Sequence, residues 1–482
     1  MSDFPNYETV IGLEVHVQLS TASKAYASDS TDFGASPNTL VSPITLGHPG
    51  TLPKANTAVV ESAVQLGLAC GCTIREHNLY ARKNYFYADL PKGYQITQDT
   101  TPICTGGGVN IRLSDGSERI IRLTRIHMEE DTGKSLHDLD PFHTLIDLNR
   151  AGVPLLEIVS EADFRSGEEA YQYLSEVRKL VRYLDISDGN MEEGSLRCDV
   201  NISVRPVGQE RFGTKVEVKN MNSFRNVQKA IDFETERQIT AIRNGQTIAQ
   251  ETRMFDAAKG ATILMRTKED AHDYRYFIEP DLPPVVVTQE AVARIQADLP
   301  ELPQARWERY QKELQLSDYD ASLLTENRAT ADFFESLVQS GCTPKSAANW
   351  VMGPVRSWLN ERALHVEDFP LTVTALAALI SLVEAGTVSY SAAQQRLFPA
   401  LVEQPHASPA DLAQALGIVQ QKDAGALEVH VDAVLADWPD KVAEYRAGKK
   451  GLIGLFMGEV MKRSGGSADP KTTTALLRSK LD

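Results

Sequence analysis

The stretch that decides the fold is Ile11-Gly12-Leu13-Glu14-Val15-His16-Val17-Gln18-Leu19, in which apolar and polar residues alternate. Successive side chains of a β-strand point to opposite faces, so this pattern predicts one buried apolar face and one polar face. The same alternation returns in Leu196-Arg197-Cys198-Asp199-Val200-Asn201-Ile202-Ser203-Val204-Arg205. Both stretches therefore predict strands of a sheet whose second face carries charged side chains.

The chain around these strands mixes short alternating segments with amphipathic helices, predicted at Gly167–Asp185 and at Asn226–Asn244 with Gly245 at its C-terminal cap. Because there is no regular βαβ rhythm, we predict an α+β domain built on an antiparallel sheet over residues 1–294. The sequence then becomes alanine-rich and helical. We predict an all-helical domain over residues 295–405 and a small helical tail domain over residues 406–482.

Composition restricts the classes of protein to be considered. A chain of 482 residues is too long for one ordinary core, and its formal net charge of −16 argues against general coating of nucleic acid. No apolar run is long enough to span a membrane, and the first residues resemble no signal peptide. Five scattered cysteines show no disulfide rhythm. These features favour a cytoplasmic protein.

The first candidate for chemistry is the pair Glu14 and His16, which share one strand face. A carboxylate beside an imidazole can bind a divalent cation or act as a base with its orienting partner. An ordinary solvated strand face explains the same pair equally well.

The second candidate is the block from His127 to Ser135, in which Glu129 and Glu130 repel each other unless a cation or solvent compensates. A solvated loop is the alternative. Its Gly133-Lys134-Ser135 end is not a phosphate-binding P-loop, because Met128 stands where that motif needs glycine.

Two further candidates lie later in the chain. Glu157 stands inside an apolar run, where it needs a cation, a catalytic role, or a salt bridge to Arg150 or Arg125. Arg197 and Asp199 share a strand face, which suits either a structural ion pair or a phosphate site with magnesium.

The ligand atoms in these candidates are mostly oxygens, which favours Mg²⁺ over zinc. Cys70 and Cys72 are set too close for a usual zinc knuckle, with Cys104 as the only plausible third thiol. There is no G-x-S-x-G motif, so a covalent hydrolase is disfavoured, and no dinucleotide-binding G-x-G-x-x-G follows a strand.

The tail gives a separate signal, since basic residues outnumber acidic ones from residue 441 onward. Contact with a phosphate backbone is one interpretation, and an ordinary helical tail is the other. The residues that we expect to make such a contact are Lys449, Lys450, Lys462 and Arg463.

At these motifs the chain resembles the B subunit of the glutamyl/aspartyl-tRNA amidotransferase over essentially its whole length. The resemblance rests on ordered blocks at residues 7–16, 82–87, 90–96, 127–135, 147–161, 191–205, 213–223, 273–277 and 448–462.

The resemblance implies a cradle-shaped catalytic domain in a heterotrimer with the amidase (glutaminase) A subunit, together with the small C subunit. It implies a carbon–nitrogen ligase with glutamine as amido-N-donor (EC 6.3.5.-), in which this chain uses ATP and Mg²⁺ to phosphorylate the side-chain carboxylate of misacylated Glu-tRNA(Gln) or Asp-tRNA(Asn). Ammonia from the partner then forms the amide. The residues that inherit a metal-binding and catalytic role are Glu14, His16, Glu129, Glu130, Glu157 and Asp199.

Phosphate or substrate contacts are expected at Arg197, Lys219 and Asn220, on position and chemistry alone. Two rival interpretations are a non-catalytic tRNA-binding scaffold that docks the amidase and a free-standing ATP-dependent ligase that uses ammonia directly.

Overall fold

The computed structural model describes residues 4–137, 139–267, 274–420, 424–465 and 468–482. Asp273, which opens one of the motifs quoted above, lies outside this range. The chain divides into two compact units, Met1–Pro303 and Gln304–Asp482. The predicted boundaries near residues 294 and 405 stay predictions.

The first unit holds all the strands of the described chain. They are β1 (Tyr7–Gln18), β2 (Thr73–Ile74), β3 (His77–Asn78), β4 (Ala81–Asn84), β5 (Tyr94–Thr97), β6 (Cys104–Thr105), β7 (Gly108–Arg112), β8 (Glu118–Glu130), β9 (Lys134–Leu136), β10 (Leu145–Asp147), β11 (Pro154–Ser160), β12 (Leu196–Pro206), β13 (Val216–Lys219), β14 (Glu251–Asp256), β15 (Ala261–Thr267), β16 (Phe277–Ile278) and β17 (Val285–Val286). Its helices are α1 (Thr57–Ala69), α2 (Gly167–Tyr183), α3 (Phe224–Arg243) and α4 (Gln289–Ala297).

Strand β1 lies in the interior of a ten-stranded sheet whose order is β15-β14-β13-β12-β1-β11-β8-β6-β2, with β7 added on β8. Its neighbours β11 and β12 both run antiparallel to it. The apolar side chains Leu13, Val15 and Val17 are buried in one core with residues of α1, α2 and α3. The opposite face of the sheet, which carries Glu14, His16 and Asp199, is called the open face below.

The α+β class and a sheet of mainly antiparallel strands are confirmed, with one parallel pair in the ten-stranded sheet. Strands β13 and β14 pair in parallel. Helix α3 connects them and carries the chain back across the sheet, as a parallel pair requires. The sequence prediction recognised the helix but not the crossover that it forms.

The two predicted helices are present with small shifts at their ends. Ser166 and Ser223 accept hydrogen bonds from the backbone N–H groups of Glu169 and Asn226, both at 3.2 Å, and so cap α2 and α3. Helix α3 begins two residues before the predicted start, at Phe224, because Ser223 is its cap. Gly245 follows the last turn with φ of 74°, the left-handed conformation expected after a helix end.

The second unit is built of helices among its described residues, with one isolated β-bridge between Val388 and Val419. Its helices are α5 (Pro303–Lys312, which begins one residue before the division), α6 (Asp318–Leu324), α7 (Arg328–Gln339), α8 (Pro344–Trp350), α9 (Arg356–Asn360), α10 (Val373–Glu384), α11 (Tyr390–Ala392), α12 (Phe398–Glu403), α13 (Pro409–Ala415), α14 (Ala424–Asp437), α15 (Pro439–Arg446), α16 (Ile453–Arg463) and α17 (Pro470–Leu481). Wider π-helical turns join α8 to α9 and α11 to α12. Two separate hydrophobic cores lie within it, one between Tyr310 and Ile418 and one between Leu427 and Leu481. Within the described part of the chain, no helix is long and apolar enough to cross a membrane.

Candidate active site on the open face of the sheet

The site is built on strand β1, whose polar side chains face partners on both neighbouring strands. Glu14 lies opposite Asp199 of β12, and His16 lies opposite Arg197 of β12 and Glu157 of β11. Because β1 lies between these strands, two residues of one short motif reach side chains far along the chain.

The first group of side chains that could hold a metal ion is His16, Glu129 and Glu157, whose ligand atoms all lie within 4.8 Å of one another. His16 Nε2 is 3.3 Å from Glu157 Oε2. His127 supports the group from β8, with Nε2 at 3.3 Å from Glu129 Oε1 and 3.4 Å from Glu157 Oε2. Neither Arg150 nor Arg125 forms a salt bridge to Glu157 within the described chain, since the two histidines are its partners.

In this first group, the charges of the histidines and of the carboxylates stabilise one another. Burial lowers the pKa of His127, but the carboxylates of Glu157 and Glu129 outweigh burial and raise that pKa to about 9. Burial likewise disfavours the charged form of Glu157, yet the charges of His16 and His127 hold the pKa of this carboxyl well below its usual value. The group therefore keeps ionised carboxylates in a buried place, which is the donor set that a divalent cation prefers.

The second group is Glu14, Asp199 and Glu217, again with ligand atoms within 4.8 Å of one another. Burial, followed by the charges of Glu157 and Asp199, raises the pKa of Glu14. Lys219 contacts Asp199, and its Nζ is 3.1 Å from Glu217 Oε1. Three carboxylates this close repel each other unless a positive charge lies among them, and the Lys219 ammonium supplies part of it.

Glu130 belongs to neither group. Strand alternation turns its side chain away from His127 and Glu129, toward the face where Ile126 and Met128 enter the core. There its carboxylate contacts Lys92 and accepts a hydrogen bond from the backbone N–H of Ile96 at 2.9 Å. The six predicted ligands therefore do not form one shared site: five are divided between the two groups, and Glu130 is separate.

Of the three residues expected to contact phosphate, Arg197 and Lys219 lie at the site and Asn220 does not. Arg197 reaches the open face, but its Nη2 pairs with Asp131 Oδ2 at 2.7 Å. Lys219 lies in the second group, as described. Asn220 follows β13 in the left-handed conformation, with φ of 66°, and is exposed. It makes none of the contacts that join either group.

Three residues at the site were missed by the sequence prediction. His127 stands two residues before Glu129 on a long strand, so strand alternation was enough to add it, whereas Glu217 stands two residues before Lys219 on a strand of only four residues. Lys83 was harder to find. Burial lowers the pKa of this lysine, but the charges of Glu129, Tyr276 and Glu157 outweigh burial and raise it above its usual value.

The cysteines are buried free thiols. Burial raises the pKa of Cys72 to about 11, and it also raises the pKa values of Cys70 and Cys104. Neither of the groups that could hold a metal ion among the described residues includes a cysteine.

The predicted tRNA contacts of the tail lie at exposed positions and mostly face acids. Lys449 Nζ is 3.0 Å from Glu444 Oε2, and Lys450 Nζ is 2.5 Å from Asp482 Oδ1. Arg463 contacts Asp437, whereas no ion pair is found for Lys462 among the residues described. Exposed pairs of this kind are weak and exchange readily for other anions.

Comparison with known proteins identifies the family of this chain. The family model described as the GatB/GatE catalytic domain matches residues 9–293, which include every residue of both groups, and the GatB domain matches residues 332–481. The B subunit of the aspartyl/glutamyl-tRNA(Asn/Gln) amidotransferase of Thermosynechococcus vestitus is 51% identical over 99% of this chain and 97% of its own length. The protein of the same name from Chlorobium luteolum is 51% identical over 99% of both chains. With two carboxylate-rich groups on one sheet and relatives that match from end to end, the chain belongs to the family of the B subunit of the aspartyl/glutamyl-tRNA amidotransferase.

Proposed function

We propose that this chain is the ATP-dependent kinase and amination subunit of a tRNA-dependent amidotransferase. The observation that carries the proposal is the pair of acidic groups that meet on β1, one through His16 and the other through Glu14. A non-catalytic scaffold has no need for carboxylates collected from five strands into two close groups on one face of a sheet.

The proposed reaction has two steps. An oxygen of the Glu or Asp side-chain carboxylate on the misacylated tRNA attacks the γ-phosphorus of ATP; a new O–P bond forms, the bond to the β-phosphate oxygen breaks, and ADP leaves. Ammonia then attacks the acyl carbon, loses a proton, and inorganic phosphate departs with the C–O bond electrons. The product is Gln-tRNA or Asn-tRNA. Phosphorylation is needed because a free carboxylate has no stable leaving group.

The donor sets of the two groups, carboxylate oxygens with one imidazole, fit Mg²⁺. His16, Glu129 and Glu157 would hold one ion, and Glu14, Asp199 and Glu217 a second; a bound Mg²⁺ supplies positive charge where phosphate oxygens gather. The chain's own residues hold these ligands in place. His127 fixes the carboxylates of Glu129 and Glu157, and Asn201 donates to Glu14 Oε1 at 3.0 Å.

Partners and location are part of the same proposal. The names of the relatives describe one subunit of an amidotransferase that acts on tRNA. We propose that the amidase (glutaminase) A subunit supplies ammonia, that the heterotrimer is completed by the small C subunit, and that the complex works in the cytoplasm, where buried free thiols stay reduced. Lys449, Lys450, Lys462 and Arg463 are the proposed tRNA contacts of the tail domain.

The test is transamidation by the reconstituted complex with Glu-tRNA(Gln) and Asp-tRNA(Asn) in turn, with both amide and ADP measured. The purified chain is expected to turn over with ammonium, ATP and misacylated tRNA, but not with glutamine. Turnover of glutamine by the chain alone favours the free-standing ligase instead. Full transamidation by a complex that carries Glu14→Ala favours the scaffold.

A further inference from the structure

One arginine on the open face has no acid to neutralise it in the part of the chain that the structure describes. Strands β8 and β12 carry five arginines, and four of them pair with acids: Arg119 with Glu169, Arg122 with Asp163, Arg197 with Asp131 and Arg205 with Glu8. The fifth, Arg125, forms no ion pair with any residue in the described ranges. Its Nε atom is buried and has no hydrogen-bond partner among them. A buried donor without a partner is uncommon, because its lost hydration is not replaced.

The position of Arg125 on strand β8 places its side chain on the open face of the sheet. Arg125, His127 and Glu129 alternate with Ile126 and Met128, whose side chains enter the core. Arg125 therefore shares the open face with the first group.

A β-bulge reinforces this placement. Val159 of β11 faces Arg125, whereas the next residue, Ser160, faces Leu123, so that Thr124 is an extra residue on β8. Bulges re-aim side chains and are frequent beside active sites. Glu161, the nearby acid, accepts a hydrogen bond from Thr124 Oγ1 at 2.8 Å and leaves the guanidinium unmatched.

The register also gives the distance from the second group. Glu14 and Arg125 both lie opposite Val159, on its two sides. Two strand spacings separate their Cα atoms by roughly 10 Å. In this row of the sheet, Val159 lies between Glu14 and Arg125, and its side chain is uncharged. An anionic ligand bound above Val159 is therefore not repelled by a carboxylate at that position.

We propose that Arg125 binds a phosphate oxygen of a substrate on the open face; this inference rests on the function proposed above. A guanidinium matches phosphate with two parallel N–H donors, which Lys219 and Arg197, already paired with carboxylates, do not have free. Two sources carry this chemistry, the triphosphate of ATP and the phosphodiesters at the aminoacylated end of tRNA. Arg125 is a binding residue for whichever source supplies the oxygen.

The experiment compares Arg125→Ala and Arg125→Lys with Arg122→Ala in the reconstituted complex. Arg122 is a matched control because it is an arginine of the same strand with Asp163 as its partner. Ammonium serves as nitrogen donor, and KM is measured separately for ATP and for misacylated tRNA. Loss of a charged hydrogen bond raises the relevant KM by about tenfold or more. Arg125→Lys keeps the charge but not the paired donors, so its KM is expected to lie between those of wild type and Arg125→Ala.

A rise in the KM for ATP assigns the contact to the triphosphate, and a rise in the KM for tRNA assigns it to the phosphodiester. If both KM values of Arg125→Ala and Arg125→Lys match those of Arg122→Ala, the inference is overturned, whatever happens to kcat. Melting temperatures show whether Arg125→Ala is folded; if it is not, Arg125→Lys decides alone. Failure of the wild-type complex to make amide from ATP and ammonium is a different result, which rejects the proposed function itself.

Discussion

Glu129 and Glu130 are consecutive residues of β8, yet their carboxylates lie on opposite faces of the strand. Glu129 accepts a hydrogen bond from Thr97 Oγ1 at 2.7 Å and lies within the first acidic group, while Glu130 contacts Lys92 on the core side. Both residues are glutamates, but their surroundings differ. We therefore expect the same substitution to have different effects at the two positions.

The first prediction concerns this pair. Glu129→Gln removes a charged ligand of nearly the same shape, and we expect amide formation to fall by about 10- to 100-fold, with more Mg²⁺ needed for half-maximal rate. Glu130→Gln leaves Lys92 buried without its partner and is expected to cost about 3 kcal/mol of stability, with the Mg²⁺ requirement unchanged. Magnesium titrations and thermal unfolding of both complexes check this. An equal shift of the Mg²⁺ requirement in both variants contradicts the separation.

The second prediction concerns the balance between Lys219 and the second group. Glu217→Gln removes a ligand and should weaken divalent-cation binding, whereas Lys219→Met removes a competing positive charge and should strengthen it, each by about tenfold. Calorimetric titration of the purified complex with Mn²⁺, without ATP or tRNA, measures binding apart from catalysis. Changes in the same direction for both variants would rule out competition by Lys219.

The third prediction uses the buried Lys24, whose Nζ donates to the carbonyl oxygen of Leu40 at 2.7 Å. Burial lowers the pKa of this lysine from 10.5 to about 8 in the folded state. Because the folded pKa is the lower one, burial of the charged ammonium reduces the free energy of unfolding by its full amount below pH 8. This loss of stability shrinks above pH 8 and disappears as the pH rises through 10.5.

Lys24→Met should therefore stabilise the protein by about 1 kcal/mol at pH 7, after the loss of one hydrogen bond is counted, and the gain should shrink above pH 8. Denaturant unfolding at several pH values measures it. Lys54→Met, at an exposed lysine of the same unit, is the control and should show no such trend. A gain that is independent of pH would mean that packing, not charge, is responsible.

The fourth prediction concerns the tail. Double charge reversal at Lys449 and Lys450 removes two exposed cations whose partners, Glu444 and Asp482, stay behind as uncompensated negative charges. We expect a higher KM for tRNA and a smaller dependence of that KM on salt. Lys312→Glu, an exposed lysine paired with Glu308, is the matched control. Equal salt dependence in the double variant and wild type would count against tRNA contact here.

The sequence was most informative where apolar and polar residues alternate along the chain. The two stretches around Glu14 and Asp199 predicted both strands, and in the structure they are adjacent, with Glu14 opposite Asp199. The positions of Glu129 and Glu130 also carried a signal that was not used, since neighbours on a strand face opposite ways.

Other features depend on long-range pairing that a single sequence does not display. Glu217 lies on a strand of four residues, too short for its alternation to stand out, and it reaches Glu14 only because β13 pairs with β12. The parallel pairing of β14 was missed because α3 was interpreted as a separate helix rather than as a crossover. The bulge at Thr124 is equally invisible before the register of β8 and β11 is known.

The interior place of β1 also has a consequence for biosynthesis. Strand β1 precedes both of its neighbours by well over a hundred residues, so its first edge cannot pair until β11 (Pro154–Ser160) is made and its second edge not until β12 (Leu196–Pro206) is made. During that time its apolar face has no core to enter, and contacts of such long sequence separation form slowly. We therefore expect the nascent chain to depend on chaperones, and a fragment that ends before β12 has the strands of the first acidic group but lacks Asp199 and Glu217 of the second.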